Sequence, residues 1–449
     1  MTQRDGGMLR TLTGLLVTSH VLAFEELPSR VSEHSATAGF DDVRIYLGDL
    51  QRDVLRLLTG RGPDSARNTV EVPAEIPVEG TVAGRAYQYG HVVAAVGNRD
   101  GPHTWWVPLL NGTERLGVLR MTSARDDDGV HQDMLTLASL VAMLVVGGRG
   151  TSDSYARLTR VKTMNVAAEM QWTLMPPRTY ADDRVIISAV LEPAYEVGGD
   201  AYDYAVAGDT VHFSVFDAMG HDTSAGLTAN LAVAACRNHR RQGTPLDQLG
   251  DRIERVLLEQ FGISRYVTGV LADLDTTTGV LTWVNRGHHP PIVIRGGRWS
   301  TLLKCPPAHP MGTDLHLPTT LCREQLEPGD RLVLYTDGIT EARVGGQEFG
   351  LTHFIDFLVR HHSDGLPVPE TLRRLIRALL QHHDQQLQDD ATILVCEWLG
   401  PQAQTAAAVA PRAGVPLPPP SRGLHHGPER ANGRSAGTDP PEEVHGRIR

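Results

Sequence analysis

Apolar residues recur along the chain at two spacings, and the dominant spacing changes along its length. From Met8 to Val146 the two are mixed. The spacing predicts helices over LRTLTGLLVTSHVLAF (residues 9–24) and VRIYLGDLQRDVLRLL (residues 43–58). It predicts short strands over HVVAAV, TWWVPLL and RLGVLRMT, and a closing helix over MLTLASLVAMLVV (residues 134–146). Helices, a small sheet and a final helix amount to a smaller α+β domain over residues 1–150, closed by Gly147, Gly148 and Gly150.

A connector is expected over residues 151–178, with one helix from Tyr155 to Met175. Leu158, Val161, Asn165, Ala168, Trp172 and Met175 alternate spacings of three and four, a heptad seam with Asn165 as its polar member. Two readings stay open: a coiled-coil homodimer, or a helix packed on its own domain. Pro176 and Pro177 end the helix, since neither can donate a backbone hydrogen bond. From Arg184 the period becomes two. VIISAVLEP, TVHFSVFD, YVTGVLADLD, GVLTWVNR, PIVIR, DRLVLYTD and ATILVCEW read as strands. Helical stretches interleave at Ala225–Arg240, Leu246–Phe261 and Pro369–Gln386, and LADLDTTTGVLTWV carries a hairpin signal. Antiparallel strands with flanking helices predict a second α+β domain over residues 179–399. Residues 400–449 are rich in Pro and Gly without a period, which predicts a disordered tail.

Composition narrows the function classes. The chain has 449 residues, 42 Lys+Arg against 53 Asp+Glu, and a formal net charge of −11. Binders of nucleic acid or anionic membrane need a basic face, so neither partner is expected. Cys236, Cys305, Cys322 and Cys396 lie apart with no Cys-x-x-Cys pair, which argues against a disulfide scaffold and against a thiolate zinc site. Thr11–Phe24 is too interrupted for a signal peptide, and the ten apolar residues Leu137–Val146 are too few to span a bilayer. A soluble cytoplasmic protein is expected.

The informative chemistry is acidic. Asp200 ends EVGGD, Asp217 ends the strand TVHFSVFD, Asp337 ends LVLYTD, and Asp389 and Asp390 precede ATILVCEW. Each stands where a strand meets a loop, so strand ends along one rim could bring them together. Singly, Asp-Gly and Gly-Gly-Asp are ordinary turn formers. Gathered, carboxylates about 4 Å apart repel by about 1 kcal/mol per pair in water and about 4 at an effective dielectric near 20. Such a cluster calls for cations, and oxygen-only ligands suit Mg²⁺ or Mn²⁺.

The series EVGGDAYD, VFDAMGHD, NRGHHPP, AHPMGTD, LEPGDRLVLYTDGITEAR, EFG and DDATILV resembles the metal-dependent (PPM-type) serine/threonine phosphatases, and within them the SpoIIE-like bacterial branch. The resemblance runs from about Leu174 to Glu397. It implies a two-sheet antiparallel β-sandwich flanked by helices, holding two Mn²⁺ or Mg²⁺ ions at one end. Carried over, Asp200 bridges both ions, Asp217 binds through solvent or directly, the Ala218 carbonyl serves the second ion, and Asp337 and Asp389 complete the first. Asp390 takes the place of an Asn in many relatives and stands behind the ligands. The implied reaction is dephosphorylation of a phosphoserine or phosphothreonine regulator of anti-anti-sigma type through a metal-activated water, with Asp200, Asp217, Asp337 and Asp389 as catalytic residues. Gln171-x-x-Leu-Met-Pro-Pro177 resembles the linker before this domain in the branch.

The sequence also departs from the family. Met219 stands where better-known members have a histidine general acid. LEPAY lacks their phosphate-binding arginine, leaving Arg184 as the nearest upstream, and Asp222 replaces a common glycine. His221 and His288 lie near the motifs, but structural roles are favoured for most of the 20 histidines. Ser214, Ser224 and Thr336 lack the setting of a serine nucleophile. The front half resembles a GAF-type sensory domain through EIPVEGTVAGRAYQYGHVVAAV and TWWVPLLNGTERLGVLRM, which implies gating of the second domain. Trp105 and Trp106 read as core in preference to pocket lining. Two other functions are weighed: a non-catalytic module that sequesters a regulator, and a metal-dependent phosphodiesterase, whose His-rich ligands are missing.

Overall fold

A computed structural model describes residues 3–417, apart from 61–72, 96–101, 193–194, 197, 345–346, 383–386 and 388. In the front half, α1 (Gln3–Ser19) and α2 (Leu27–Ser35) precede β1 (Asp41–Gly48), β2 (Val54–Leu57) and β3 (Glu75–Pro77). Then follow α3 (Val82–Tyr89), β4 (Val93–Ala94), β5 (His103–Asn111), β6 (Glu114–Ser123) and α4 (Asp128–Arg149). The six strands form one antiparallel sheet in the order β3-β2-β1-β6-β5-β4. Leu15, Leu27, Val31, Leu137 and Val141 bring α1, α2 and α4 onto one face, while Ala83, Ala86 and Tyr87 bring α3 onto the other. Helix α4 has the length and apolar composition to cross a membrane, and its inward stripe is buried against this sheet. Trp105 and Trp106 are core residues on opposite faces, against His131 and Tyr46.

The helix expected over residues 43–58 is instead the β1–β2 hairpin. Asp49 turns the chain, its carboxylate accepting the amides of Gln51, Asp53 and Val54 at 2.8–3.1 Å. An Asp able to satisfy local amides competes with the helix, and the tertiary sheet decides.

The connector is two helices rather than one: α5 (Asp153–Thr159) and α6 (Val166–Leu174). Asn165 is not a seam residue. It caps α6 by accepting the Ala168 amide at 2.7 Å, and a capping side chain that satisfies orphan amides starts a new helix there. Val166 and Met170 are exposed, whereas Ala167, Ala168 and Gln171 are buried, so α6 packs on its own chain.

Beyond it the period-two runs pair into a sandwich. The strands are β7 (Thr179–Ala181), β8 (Val185–Glu192), β9 (Asp200–Ala207) and β10 (Thr210–Ala218), followed by α7 (Thr223–Arg241) and α8 (Leu246–Phe261). Then come β11 (Val267–Asp275), β12 (Val280–Arg286), β13 (Ile292–Arg295), β14 (Trp299–Leu302), β15 (Cys322–Gln325) and β16 (Arg331–Tyr335). The chain continues through α9 (Asp337–Thr340), β17 (Arg343–Val344), β18 (Gln347–Glu348), α10 (Gly350–Ser363), α11 (Val368–His382), β19 (Ala391–Trp398) and α12 (Ala406–Ala413). One sheet runs β15-β12-β11-β10-β9, and the other runs β14-β13-β16-β19-β8-β7. Their inner faces interdigitate through Ile187, Leu191, Tyr202, Phe213, Val215, Leu334 and Leu394. Helices α7 and α8 cover one outer face, and α10, α11 and α12 cover the other.

Strand β9 is hidden in the sequence by Asp203, buried against Arg237 and Arg240 of α7. Helix α10 buries only Phe354 and Leu358, too sparse a stripe to announce itself. Two further expectations fail. Cys305 and Cys322 are disulfide-bonded, because the returning β14–β15 connection brings their Cα atoms to 6.0 Å. The tail is ordered as far as residue 417: Thr405 caps α12, and Val409 and Ala413 enter the core beside α11. Residues 418–449 lie outside the described residues.

Candidate active site

Alternation along the strands decides where the acids point. Tyr202 and Tyr204 of β9 face the inter-sheet core, so Asp200 at the start of that strand faces inward too. Val211, Phe213 and Val215 carry the inward face along β10 to Asp217. Asp200 and Asp217 are direct register partners, so their side chains stand side by side. On the facing sheet, Leu332 and Leu334 point inward and the next step is Thr336; Leu394 and Cys396 point inward and lead back to Thr392 and Asp390. Asp337 and Asp389 flank these positions. One end of the sandwich is thus an acidic rim built from four strand ends.

Hydrogen bonds fix the rim. Thr336 Oγ1 donates to Asp200 Oδ2 at 2.5 Å and accepts the Thr392 amide at 2.9 Å, tying the two sheets together. Asp390 Oδ2 accepts the amides of Gly198 at 2.7 Å and Asp200 at 3.1 Å, and the Asp390 amide donates to Asp389 Oδ1 at 2.9 Å. From α6, Gln171 Nε2 donates to the Asp200 carbonyl. Two glycines permit this packing. A Cβ on Gly199 would stand 2.2 Å from the Ala218 carbonyl oxygen, and one on Gly338 would stand 1.9 Å from that of Asp390.

The electrostatics follow from gathering carboxylates. Burial raises Asp200 well above the usual carboxylate range, and Asp390 and Asp217 raise it further. Asp217 is pushed up to about 7 by burial and then by Asp337, Asp389 and Asp390. Asp390 reaches about 6 through burial, although the amides of Asp200 and Gly198 oppose the rise. All five predicted acids therefore share one rim, with Ala218 at its edge. Among the described residues, no three His, Cys, Asp or Glu side chains close into a ready-made cage. Mutual repulsion is reason enough for carboxylates to stay apart without counter-charge. Hard divalent ions fit this donor set: it offers only oxygens, and its members raise one another's pKa.

The remaining candidates separate. His288 is buried and its pKa is lowered to about 4, by burial first and His289 second. Its Nε2 lies 3.0 Å from the Tyr335 carbonyl, so Nε2 carries the proton and Nδ1 accepts from Thr268 Oγ1 at 2.8 Å. Thr268 is the register partner of Asp217, so His288 positions the rim without joining it. His221 is exposed on the loop beside Gly198. Ser214 is buried within β10, and Ser224 lies in the first turn of α7. Met219 is exposed at the rim. Arg184 is at the opposite end of β8, donating to the Pro401 carbonyl at 2.6 Å, and does not serve the rim. Thr336, Gln171 and Thr268 were not singled out as site residues from the sequence. The signal available was adjacency, since Thr336 precedes Asp337 and Gln171 opens the Gln-x-x-Leu-Met-Pro-Pro stretch.

Residues 207–399 match the family described as Stage II sporulation protein E (SpoIIE). Over that span the chain is similar to SpoIIE-type phosphatase domains of the PP2C (PPM) class. The matched span holds Asp217, Ala218, Asp337, Asp389 and Asp390, and the structure adds Asp200. Phosphoserine phosphatase RsbU of Bacillus subtilis is 24% identical over 234 residues, covering 52% of this chain and 69% of that protein. Protein IcfG of Synechocystis is 24% identical over 239 residues, covering 46% of this chain and 37% of that one. Among solved structures, the RsbU and RsbW domains of a Mycobacterium tuberculosis protein align with a TM-score of 0.45 at 23% identity, over 51% of this chain and 64% of that one. Against this SpoIIE-type domain, the front half of the chain lies outside the matched span.

Proposed function

We propose that the chain is a metal-dependent protein serine/threonine phosphatase acting on a phosphorylated regulatory protein of anti-anti-sigma type, and that its front half is a GAF-like sensory module gating that activity. The observation that carries the catalytic part is the convergence of Asp200, Asp217, Asp337, Asp389 and Asp390 on one rim, with the pKa values of Asp200, Asp217 and Asp390 raised. Bound Mn²⁺ or Mg²⁺ would supply Lewis acidity and charge neutralisation for phosphoryl transfer to water. Asp200, Asp217, Asp337, Asp389 and the Ala218 carbonyl would hold the ions, and Asp390 would fix the 198–200 loop behind them. With Met219 in place of a histidine, the proton for the departing serine oxygen would come from water or another group.

Gating is supported by the route from α6 to the rim. Gln171 holds the Asp200 carbonyl, while the Val161 amide donates to Tyr195 Oη at 3.1 Å and the Asn165 amide to the Tyr195 carbonyl at 2.9 Å. A displacement of the connector would thus reach the loop that presents Asp200. The test is release of phosphate from a phosphoserine peptide with and without Mn²⁺. Manganese-dependent turnover, lost in Asp200→Asn and Asp337→Asn, supports the reading. Equal rates in wild type and both variants would remove it, and absence of any turnover would favour a sequestering module.

A further inference from the structure

A cleft of about 250 Å³ lies between the front half and the sandwich, bordering the acidic rim at Glu192, whose register partner Ala391 follows Asp390. Five cationic side chains line it: Arg52 from the β1–β2 turn, Lys162 and Arg178 from either side of α6, and Arg373 and Arg377 from α11. The carboxylates there are Asp53, Glu79 and Glu192. In a chain of net charge −11, this local excess of cations stands out against the composition.

The donors in the cleft are not used up. Glu79 takes both Arg373 and Arg377, and Gln51 donates to Glu192 at 3.2 Å. Arg373 is only 7% exposed and spends Nε and Nη2 on Glu370, yet its Nη1 has no hydrogen-bond partner among the described residues. Arg178 donates Nη1 to the Leu50 carbonyl and stacks on Trp172 at 4.3 Å, and its buried Nη2 also lacks a partner among the described residues. Among the described residues, the side chains of Arg52 and Lys162 make no hydrogen bond or ion pair, the Arg52 amide alone donating to the Asp49 carbonyl at 3.1 Å. Buried guanidinium donors without acceptors are costly, and charged ones more so. Guanidinium forks match phosphate oxygens in pairs.

We infer that this cleft is a binding site for a compact phosphorylated anion of about diphosphate size. Its volume lies just below the roughly 300 Å³ at which drug-sized pockets begin, which favours a small, highly charged ligand. The like charges already strain one another: burial, then Arg178 and Arg115, lower Arg52 to about 10. An anion would relieve that repulsion.

The experiment is calorimetric titration of the full chain with inorganic pyrophosphate in EDTA, where the metal-free acidic rim repels anions. One site per chain is expected. The Arg52→Gln/Lys162→Gln double variant should weaken it at least about tenfold, and Asp337→Asn should bind as wild type does. If the double variant does not fold, Lys162→Gln alone, on an exposed side chain, should weaken binding severalfold. Absence of binding to wild type, binding unchanged by the cleft variants, or binding lost in Asp337→Asn would each overturn the assignment.

Discussion

Thr336 is a small side chain on which both sheets converge, donating to Asp200 and accepting from Thr392. Partners behind a ligand typically govern metal affinity by about 10–100-fold. Thr336→Val should therefore raise the Mn²⁺ concentration for half-maximal activity by that factor, whereas Thr336→Ser should stay near wild type; a manganese titration of turnover reads both. The acids themselves give a pH signature. Asp217 and Asp390, raised to about 7 and about 6 from an unfolded value near 3.9, bind more protons folded than unfolded between those values. Stability of the metal-free protein should hence fall as pH rises from about 4 to about 7, with the penalty fully present above the folded pKa values. Thermal melts in EDTA should show this slope, and Asp217→Asn should flatten it. These acids were legible as residue types at strand ends. Thr336 and His288 were not, because their roles depend on which backbone and side-chain atoms lie across the inter-sheet gap.

At the scale of elements, period-two runs announced β8, β10–β13, β16 and β19, because each alternates one core face with a face under helices. The signal failed wherever a polar side chain found a tertiary or local partner: Asp203 in β9, Asp49 at the β1–β2 turn, Asn165 at the head of α6. Helix α6 is the element whose place matters most, since its Gln171 reaches the Asp200 backbone while Asn165 starts it. Asn165→Ala should cost about 1 kcal/mol of local helix stability, seen as faster amide exchange across residues 166–174. Gln171→Ala should lower turnover more than it lowers global stability. Equal loss of both would make α6 a structural brace only.

At the scale of the molecule, the front half and the sandwich meet through contacts between distant parts of the sequence. Glu79 pairs with Arg373 and Arg377, and Arg115 donates to the Gly414 carbonyl at 3.0 Å, while Arg56 holds the connector by donating to the Leu158 carbonyl of α5 at 2.9 Å. Such pairings carry no local pattern, so the sequence reading separated two domains and a connector without showing how they engage. Glu79→Gln should weaken the docking by about 1 kcal/mol, given the partial exposure of Glu79. Increased amide exchange in α3 and α11 together, with the inter-sheet core unchanged, would show it. The most direct test of the acidic rim is calorimetric titration of the full chain with Mn²⁺ near pH 6.5. Two ions per chain bound with release of protons, and loss of that binding in Asp200→Asn, is the predicted result. A wild-type protein that takes up no manganese, or an Asp200→Asn variant that binds it equally well, would contradict the account.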